Sequence, residues 1–490
     1  MAIRSNVVTL ILAGLLGVLV ITLLTKKREN HAVTVAESPA AAESAPAASS
    51  VAAAGASAAG SVAAPAKDLP PTLARPLRVA GVGWELIAPA LLQNDGIEPN
   101  EKSAFGKAGL RLSLSVVDGA AGANQALSRG GDDDAGSDIV LVPLSSFLAS
   151  YEKLRALDPV IFYVSHWSRG REVLTTRSGK PLDSLPDTGR IGLAPAEHDP
   201  ATFAALFLLD AAGVEPARID LLSSDDPKAH VRARMRQTAD QRGGVQQSDA
   251  VLSTAEASRL IPIVAVAQRG FIQKHALILK TFLLGLLEGQ KVLTEDAAAS
   301  ARKISKLDGA PEPVALLGGL GELGQVSLSE NAELFGLSGR GAVTVESLLA
   351  RGFRLWREAK LSNTPGPESV VADGRVVALL IRASRVTQGM APPKVSVPEK
   401  PTAALLVHRA RGKSLDEDAL LGEVGLLAGV FPRSPLLITV HRGGAVDKKR
   451  SEDLARQASD RFGLAPGRLQ VGKARPRAQT QATFEVLPIP

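Results

Sequence analysis

The chain has 490 residues, an apolar fraction of 45%, no cysteine and a formal net charge of +6. That length allows two or three domains with a sizeable core, and the lack of cysteine excludes disulfides, thiolate metal sites, cysteine nucleophiles and a lipid-modified N-terminal cysteine. Most of the positive excess lies at the C-terminal end, where 14 Lys and Arg face 9 Asp and Glu from Thr402 onward; such a surface attracts anionic polymers or headgroups, or is simply a solvated basic face.

Val7 to Leu24 is an uncharged apolar run of 18 residues, long enough to cross a bilayer core as a helix. Lys26, Lys27 and Arg28 follow it directly, which fits an uncleaved signal anchor over residues 1–29 better than a cleavable leader. Arg4 and the N-terminal amine oppose these three charges, so flanking charge leaves the orientation open. Residues 30–75 are rich in Ala, Ser and Pro with few large apolar side chains, the composition of a flexible tether. A second polar, Pro-rich break covers 387–401, which delimits two folded units, 76–386 and 402–490.

The first unit alternates strand and helix patterns: LRVAGVGW, IAPALLQND, RLSLSVVDG, GANQALSRGG, SDIVLVPLSS and a helix from Phe147 to about Ala156. PVIFYVSHW and REVLTTRSG lead into a second series, with GRIGLAP, a helix over PATFAALFLLDAAG, ARIDLLSS, a helix over AHVRARMRQ, and SDAVLST. RLIPIVAVAQRG then reads as a strand returning to the first series. This pattern predicts two α/β lobes, the second over about 165–258, joined by two crossings that leave a cleft and a hinge.

These stretches, from VAGVGW through GKPLDSLPDTGRIGLAPAEHDPATFAALFLLDAAG to SLSENAELFGLSGRGAVTVESLLARGFRLWREAKL, resemble the periplasmic substrate-binding proteins of the nitrate/sulfonate/taurine type. Within that family they are similar to a subgroup labelled as phosphate-transport binding proteins. The resemblance implies a two-lobed α/β clamshell that holds a small solute for an ABC transporter, with no catalysis and no cofactor. It places ligand contacts at Trp84 and Glu85, Ser145 and Ser146, Ser168 and Arg169, and His198 and Asp199. Asp199 before Pro200 reads as a helix N-cap followed by N1, so its carboxylate would occupy the free N–H groups that an anionic ligand needs, and Glu197 adds like charge. A neutral or cationic ligand, or none, fits that helix end at least as well as phosphate or sulfonate.

Three other patterns carry less. GLGELG at Gly319–Gly324 matches a dinucleotide fingerprint in letters, but no strand precedes it. Asp132–Asp134 lack the spacing of a calcium loop. The seven histidines form no metal-ligand pair and no nucleophile elbow occurs, so neither a metal site nor an enzyme is expected.

The last unit reads β-α-β-α-β-β, from TAALLVHRA to QATFEVLP, and resembles the OmpA-like peptidoglycan-binding domain over nearly its whole length. In that family an aspartate and an arginine grip the diaminopimelate of the peptide stem. Laid on this sequence, the motif puts His441 at its histidine and Ser451 at its asparagine, but Gly443 at the aspartate and Ala458 at the arginine. Both gripping charges are absent. His441, Arg442, Arg456 and Arg461 are the candidates for an envelope contact with peptidoglycan or a protein. The combined resemblances imply a single-pass protein of the bacterial inner membrane, anchored through residues 7–24, with its folded units in the periplasm. No nucleic acid is implied as a partner.

Overall fold

The computed structural model describes residues 73–177, 179, 181–185, 189–194, 200–223, 226–236, 251–362, 366–367, 371–384, 403–411, 416–474 and 480–489. The apolar run at 7–24, most of the tether and the break at 387–401 lie outside these residues. Among the described residues no helix is long and apolar enough to cross a membrane.

Chain order begins with β1 (Leu77–Gly81), α1 (Trp84–Asn94), α2 (Ala104–Lys107), β2 (Leu112–Val116), α3 (Gly119–Arg129), β3 (Ile139–Pro143) and α4 (Leu144–Leu154). The parallel strands β1, β2 and β3 are apolar with Leu77, Val79, Leu112, Ile139 and Leu141 buried, as strands covered on both faces require. β4 (Pro159–Ser168) is buried along its whole length and leads to β5 (Glu172–Thr176). The second lobe continues with β6 (Ile191–Ala194), α5 (Pro200–Ala211), β7 (Ile219–Leu221), β8 (Val231–Met235) and β9 (Leu252–Ser253). β10 (Pro262–Gln268) returns between β3 and β4, antiparallel to both.

A helical layer follows: α6 (Arg269–Glu295), α7 (Ala297–Ile304), α8 (Pro313–Gly321), the short β11 (Leu323–Gln325), α9 (Leu328–Leu334), α10 (Val345–Glu358) and α11 (Arg375–Ser384). The first sheet runs β11-β4-β10-β3-β1-β2 and the second β7-β6-β8-β5-β9. Asn331 on α9 ties the helical layer to β4, its side chain accepting from the Val164 N–H and donating to the Val164 carbonyl, each at 2.9 Å.

Two expectations are corrected. AHVRARMRQ forms the strand β8, because Val231 and Ala233 are buried at period two and fill the slot between β6 and β5, where a helix has no place. The helix expected from Phe147 begins at Leu144, so Ser145 and Ser146 lie in its first turn.

The C-terminal sheet is built from β12 (Leu406–Arg411), α12 (Glu417–Val430), β13 (Leu436–Arg442), β14 (Ala445–Val446), α13 (Lys448–Phe462), β15 (Leu469–Val471) and β16 (Thr480–Val486). Its order is β12-β16-β13, with β15 parallel to β13 and β14 closing a hairpin on it. The hairpin turns on Gly443 and Gly444, at φ 57° and 83°, the double left-handed turn that glycine adopts without strain.

This sheet is docked on the two lobes, and Lys67–Pro490 forms one compact unit. A single apolar core runs from Phe147 on α4 through Phe203 on α5 and Trp356 on α10 to Val424 and Phe431 beside the C-terminal sheet. His408 Nδ1 meets the Ala211 carbonyl at 2.7 Å, and Arg351 bridges Asp210 of the second lobe to Glu423 of α12. The Arg259 N–H donates to the Val430 carbonyl at 3.2 Å, and Arg433 donates to the Ala255 carbonyl at 3.2 Å, both at the base of the second crossing.

Candidate functional site

β1 and β3 each run into the N-terminus of a helix, α1 and α4. Gly83, at φ 106°, turns the chain from β1 into α1 and provides that helix with no side-chain cap. Trp84 and Glu85 therefore open α1. Trp84 is partly buried in the first lobe's core, on the side of Gly309. The Glu85 carboxylate lies over Gly83, where a side chain at that position would collide with it.

Glu85 is held there by Arg171, whose Nη2 lies 2.9 Å from its Oε1. The same guanidinium donates through Nε to Glu322 Oε2 at 3.1 Å. All three side chains are less than 20% exposed. Glu85 belongs to the first lobe, Arg171 to the crossing into the second, and Glu322 to the join of α8 and β11. The triad thus braces the lobes across the hinge and carries a net charge of minus one.

Arg169, expected as a ligand contact, is exposed, and its backbone N–H is bound to the Glu322 carbonyl at 2.8 Å. Arg171, two residues on, is the arginine that meets Glu85 and Glu322. Glu322 lies inside GLGELG, where Gly319 is beside the Glu85 side chain.

Ser168 donates to Glu172 Oε2 at 2.6 Å, and Thr254 from the second crossing donates to the same oxygen at 2.8 Å. Thr254 Oγ1 in turn accepts from the Gly170 N–H at 2.9 Å. These bonds stitch the two crossings together and commit the Ser168 hydroxyl to the hinge. Ser145 is fully buried and its hydroxyl meets no partner among the described residues, while Ser146 is 9% exposed. Glu197, His198 and Asp199 lie outside the described residues.

Burial holds the Glu172 carboxyl above its ordinary range, against the opposing hydrogen bonds from Ser168 and Thr254. A carboxyl raised in the folded state contributes stability that is complete below its unfolded value and is lost as pH rises through the folded value. The contribution of Glu172 to thermal stability is therefore expected to fall as pH climbs above its ordinary value of 4.5. Glu172→Gln should flatten that decline, measured as melting midpoint against pH; parallel profiles for the two proteins would contradict the assignment.

At the C-terminal sheet, His441 is 8% exposed, with Nε2 3.1 Å from Thr483 Oγ1, and burial lowers its proton affinity. It is placed to hold β13 to β16 and offers no surface contact. Arg442 is exposed at the hairpin, Arg456 pairs with Asp453 at 2.7 Å, and Arg461 pairs with Asp418 at 3.0 Å. These three arginines sit on the surface and do not converge on one ion-pairing partner. Ser451, at the motif's asparagine, is buried and binds the Val440 N–H at 2.8 Å, closing α13 onto β13.

The acidic run at Asp132–Asp134 is neutralised locally, Asp132 by Arg75 at 2.6 Å and Asp134 by Arg78. Among the described residues no group of three or more His, Asp or Glu is placed to hold a metal ion.

No protein-family model matches the sequence, and no curated protein matches it. Solved structures do. The periplasmic aliphatic sulphonate binding protein SsuA from Escherichia coli is 15% identical, with 69% of this chain and 97% of that one covered and a TM-score of 0.40. A putative periplasmic sulfonate-binding SsuA from Methylobacillus flagellatus is 13% identical over 64% and 96%, with a TM-score of 0.42. The alkanesulfonate-binding protein SsuA from Xanthomonas axonopodis pv. citri bound to MOPS is 14% identical over 60% and 95%, with a TM-score of 0.33.

Proposed function

We propose that this chain is a solute-binding protein of the bacterial cell envelope, anchored in the inner membrane through residues 7–24, whose periplasmic two-lobed cleft takes a small solute bearing a cationic group. The observation that carries this reading is the Glu85–Arg171–Glu322 triad. The guanidinium of Arg171 is already shared by two carboxylates, so it offers an incoming anion no uncompensated charge, and the triad's excess negative charge repels one. A cation is attracted by the same excess. Delivery of the solute to an ABC importer completes the reading, and no residue is assigned a catalytic role.

The test is a thermal-shift series on the full chain with choline and methylguanidine, against inorganic phosphate and methanesulfonate. A bound solute raises the melting midpoint by mass action. Only the cations are expected to do so, and Glu322→Gln should reduce their effect. Stabilisation by phosphate or methanesulfonate that changes with Glu322→Gln contradicts the reading.

A second reading, a structural adaptor acting through an OmpA-like module, is favoured by the docking of the C-terminal sheet on both lobes. It predicts no response to any of the solutes and a peptidoglycan pull-down that is lost in Arg442→Ala/Arg456→Ala. An unchanged pull-down in that double variant removes those arginines from the contact.

A further inference from the structure

A cavity of about 400 Å³ lies where α9 and the loop leading to α10 face α12 and the end of α13. It is separate from the interlobe triad, and its walls come from both the clamshell and the C-terminal unit. Its size is that of a site for a small molecule.

Three arginines and two glutamates line it. Arg259 is paired with Glu330, whose other oxygen accepts from the Ser327 N–H and hydroxyl at 2.9 and 3.0 Å. Glu330 is therefore spent. Glu333 is partly buried, and burial biases its carboxyl toward the neutral form. Arg468 is 6% exposed and bonds only backbone carbonyls, those of Ala428, Phe431 and Ser434. Burial lowers its proton affinity, with Arg259 adding like charge. Arg340 stands exposed at the rim. Neither Arg340 nor Arg468 has a carboxylate partner among the described residues. Trp167 is 4% exposed and its indole N–H has no partner there. Val343, Phe462 and Leu464 supply apolar wall.

Two cations without counter-charge, an unpaired buried donor and an apolar wall form a set that complements one ligand chemistry. We propose that this junction is a second binding site, for a small amphipathic anion: one acidic headgroup on a short apolar or aromatic body. The headgroup meets Arg340 and Arg468, and the body lies against Val343 and Phe462. Because these residues belong to both parts of the molecule, the bound anion fastens the C-terminal unit to the clamshell.

The experiment is isothermal titration of the full chain with benzenesulfonate, benzyl alcohol and benzylammonium. Saturable binding of benzenesulfonate alone is expected. Arg340→Glu, at an exposed position that leaves the fold intact, should weaken it about tenfold or more, the worth of one charge-assisted hydrogen bond. Ala342→Trp, which fills the cavity, should abolish it; if that variant does not fold, Arg340→Glu decides alone. Absence of benzenesulfonate binding overturns the proposal, as does equal binding of benzylammonium. Binding that survives Arg340→Glu lies elsewhere and also overturns it, whereas the cleft reading is tested separately by its dependence on Glu322.

Discussion

Arg171→Met is expected to destabilise the protein by about 2–4 kcal/mol, because it strands two carboxylates whose shared cation is gone. Glu85 and Glu322 approach the guanidinium from opposite parts of the first lobe, at 2.9 and 3.1 Å, and all three groups are largely withdrawn from solvent. Without the arginine, the carboxylates are left close together with little water to screen them. Removing the charges as a set should recover most of the loss, so Arg171→Met/Glu85→Gln/Glu322→Gln is predicted to be markedly more stable than the single variant. Chemical denaturation followed by circular dichroism measures this. A single variant as stable as wild type would show that the brace is not formed. On the proposed reading, Arg171→Met should also strengthen binding of cationic solutes, since the triad's net charge falls by one.

Gly429→Ala is expected to lower stability by about 1–2 kcal/mol, the balance of an interfacial clash over a gain in helix propensity. Gly429 lies in the last turn of α12, and a Cβ there would stand 2.2 Å from Val343 Cγ2 on the clamshell side. Alanine cannot be seated unless the C-terminal unit shifts or Val343 retreats. If that unit were detached from the clamshell, the same substitution would stabilise its helix by up to about 1 kcal/mol. The sign of the effect therefore reports docking. Val343→Ala removes the offending methyl, so the double variant should lose less than the two single changes combined; an additive result would place the two residues apart.

Much of the backbone plan was legible because periodicity and turn residues state it locally. The alternation of apolar runs with amphipathic segments marked the first sheet, and RLIPIVAVAQRG was readable as the returning strand because it is too short and too β-branched for a buried helix. The β-α-β-α-β-β order of the last unit is present with one addition, the two-residue β14 between β13 and α13. AHVRARMRQ misled because arginines flanking Val231 and Ala233 suit a helix as well as a strand, and only the vacancy between β5 and β6 decides.

The candidate site was legible in outline only. Glu85 could be placed from its position after β1, but its partner could not. In SRGRE, two arginines flank Gly170, whose φ of 84° turns the chain between them, and that turn leaves Arg169 exposed and puts Arg171 between Glu85 and Glu322. Glu322 reaches the site from about 150 residues further on, through a glycine run that reads as a nucleotide motif or as nothing. Docking of the C-terminal unit leaves no local mark, because Gly429 and Val343 are ordinary residues until they meet.

The most direct test of a cleft tuned for cations is native mass spectrometry of the full chain, with a parallel sample of Glu85→Gln/Glu322→Gln. Retention of a small cationic solute by the wild type, and its loss in the double variant, is the predicted result. A retained acid whose binding is unaffected or strengthened by the double change would contradict it.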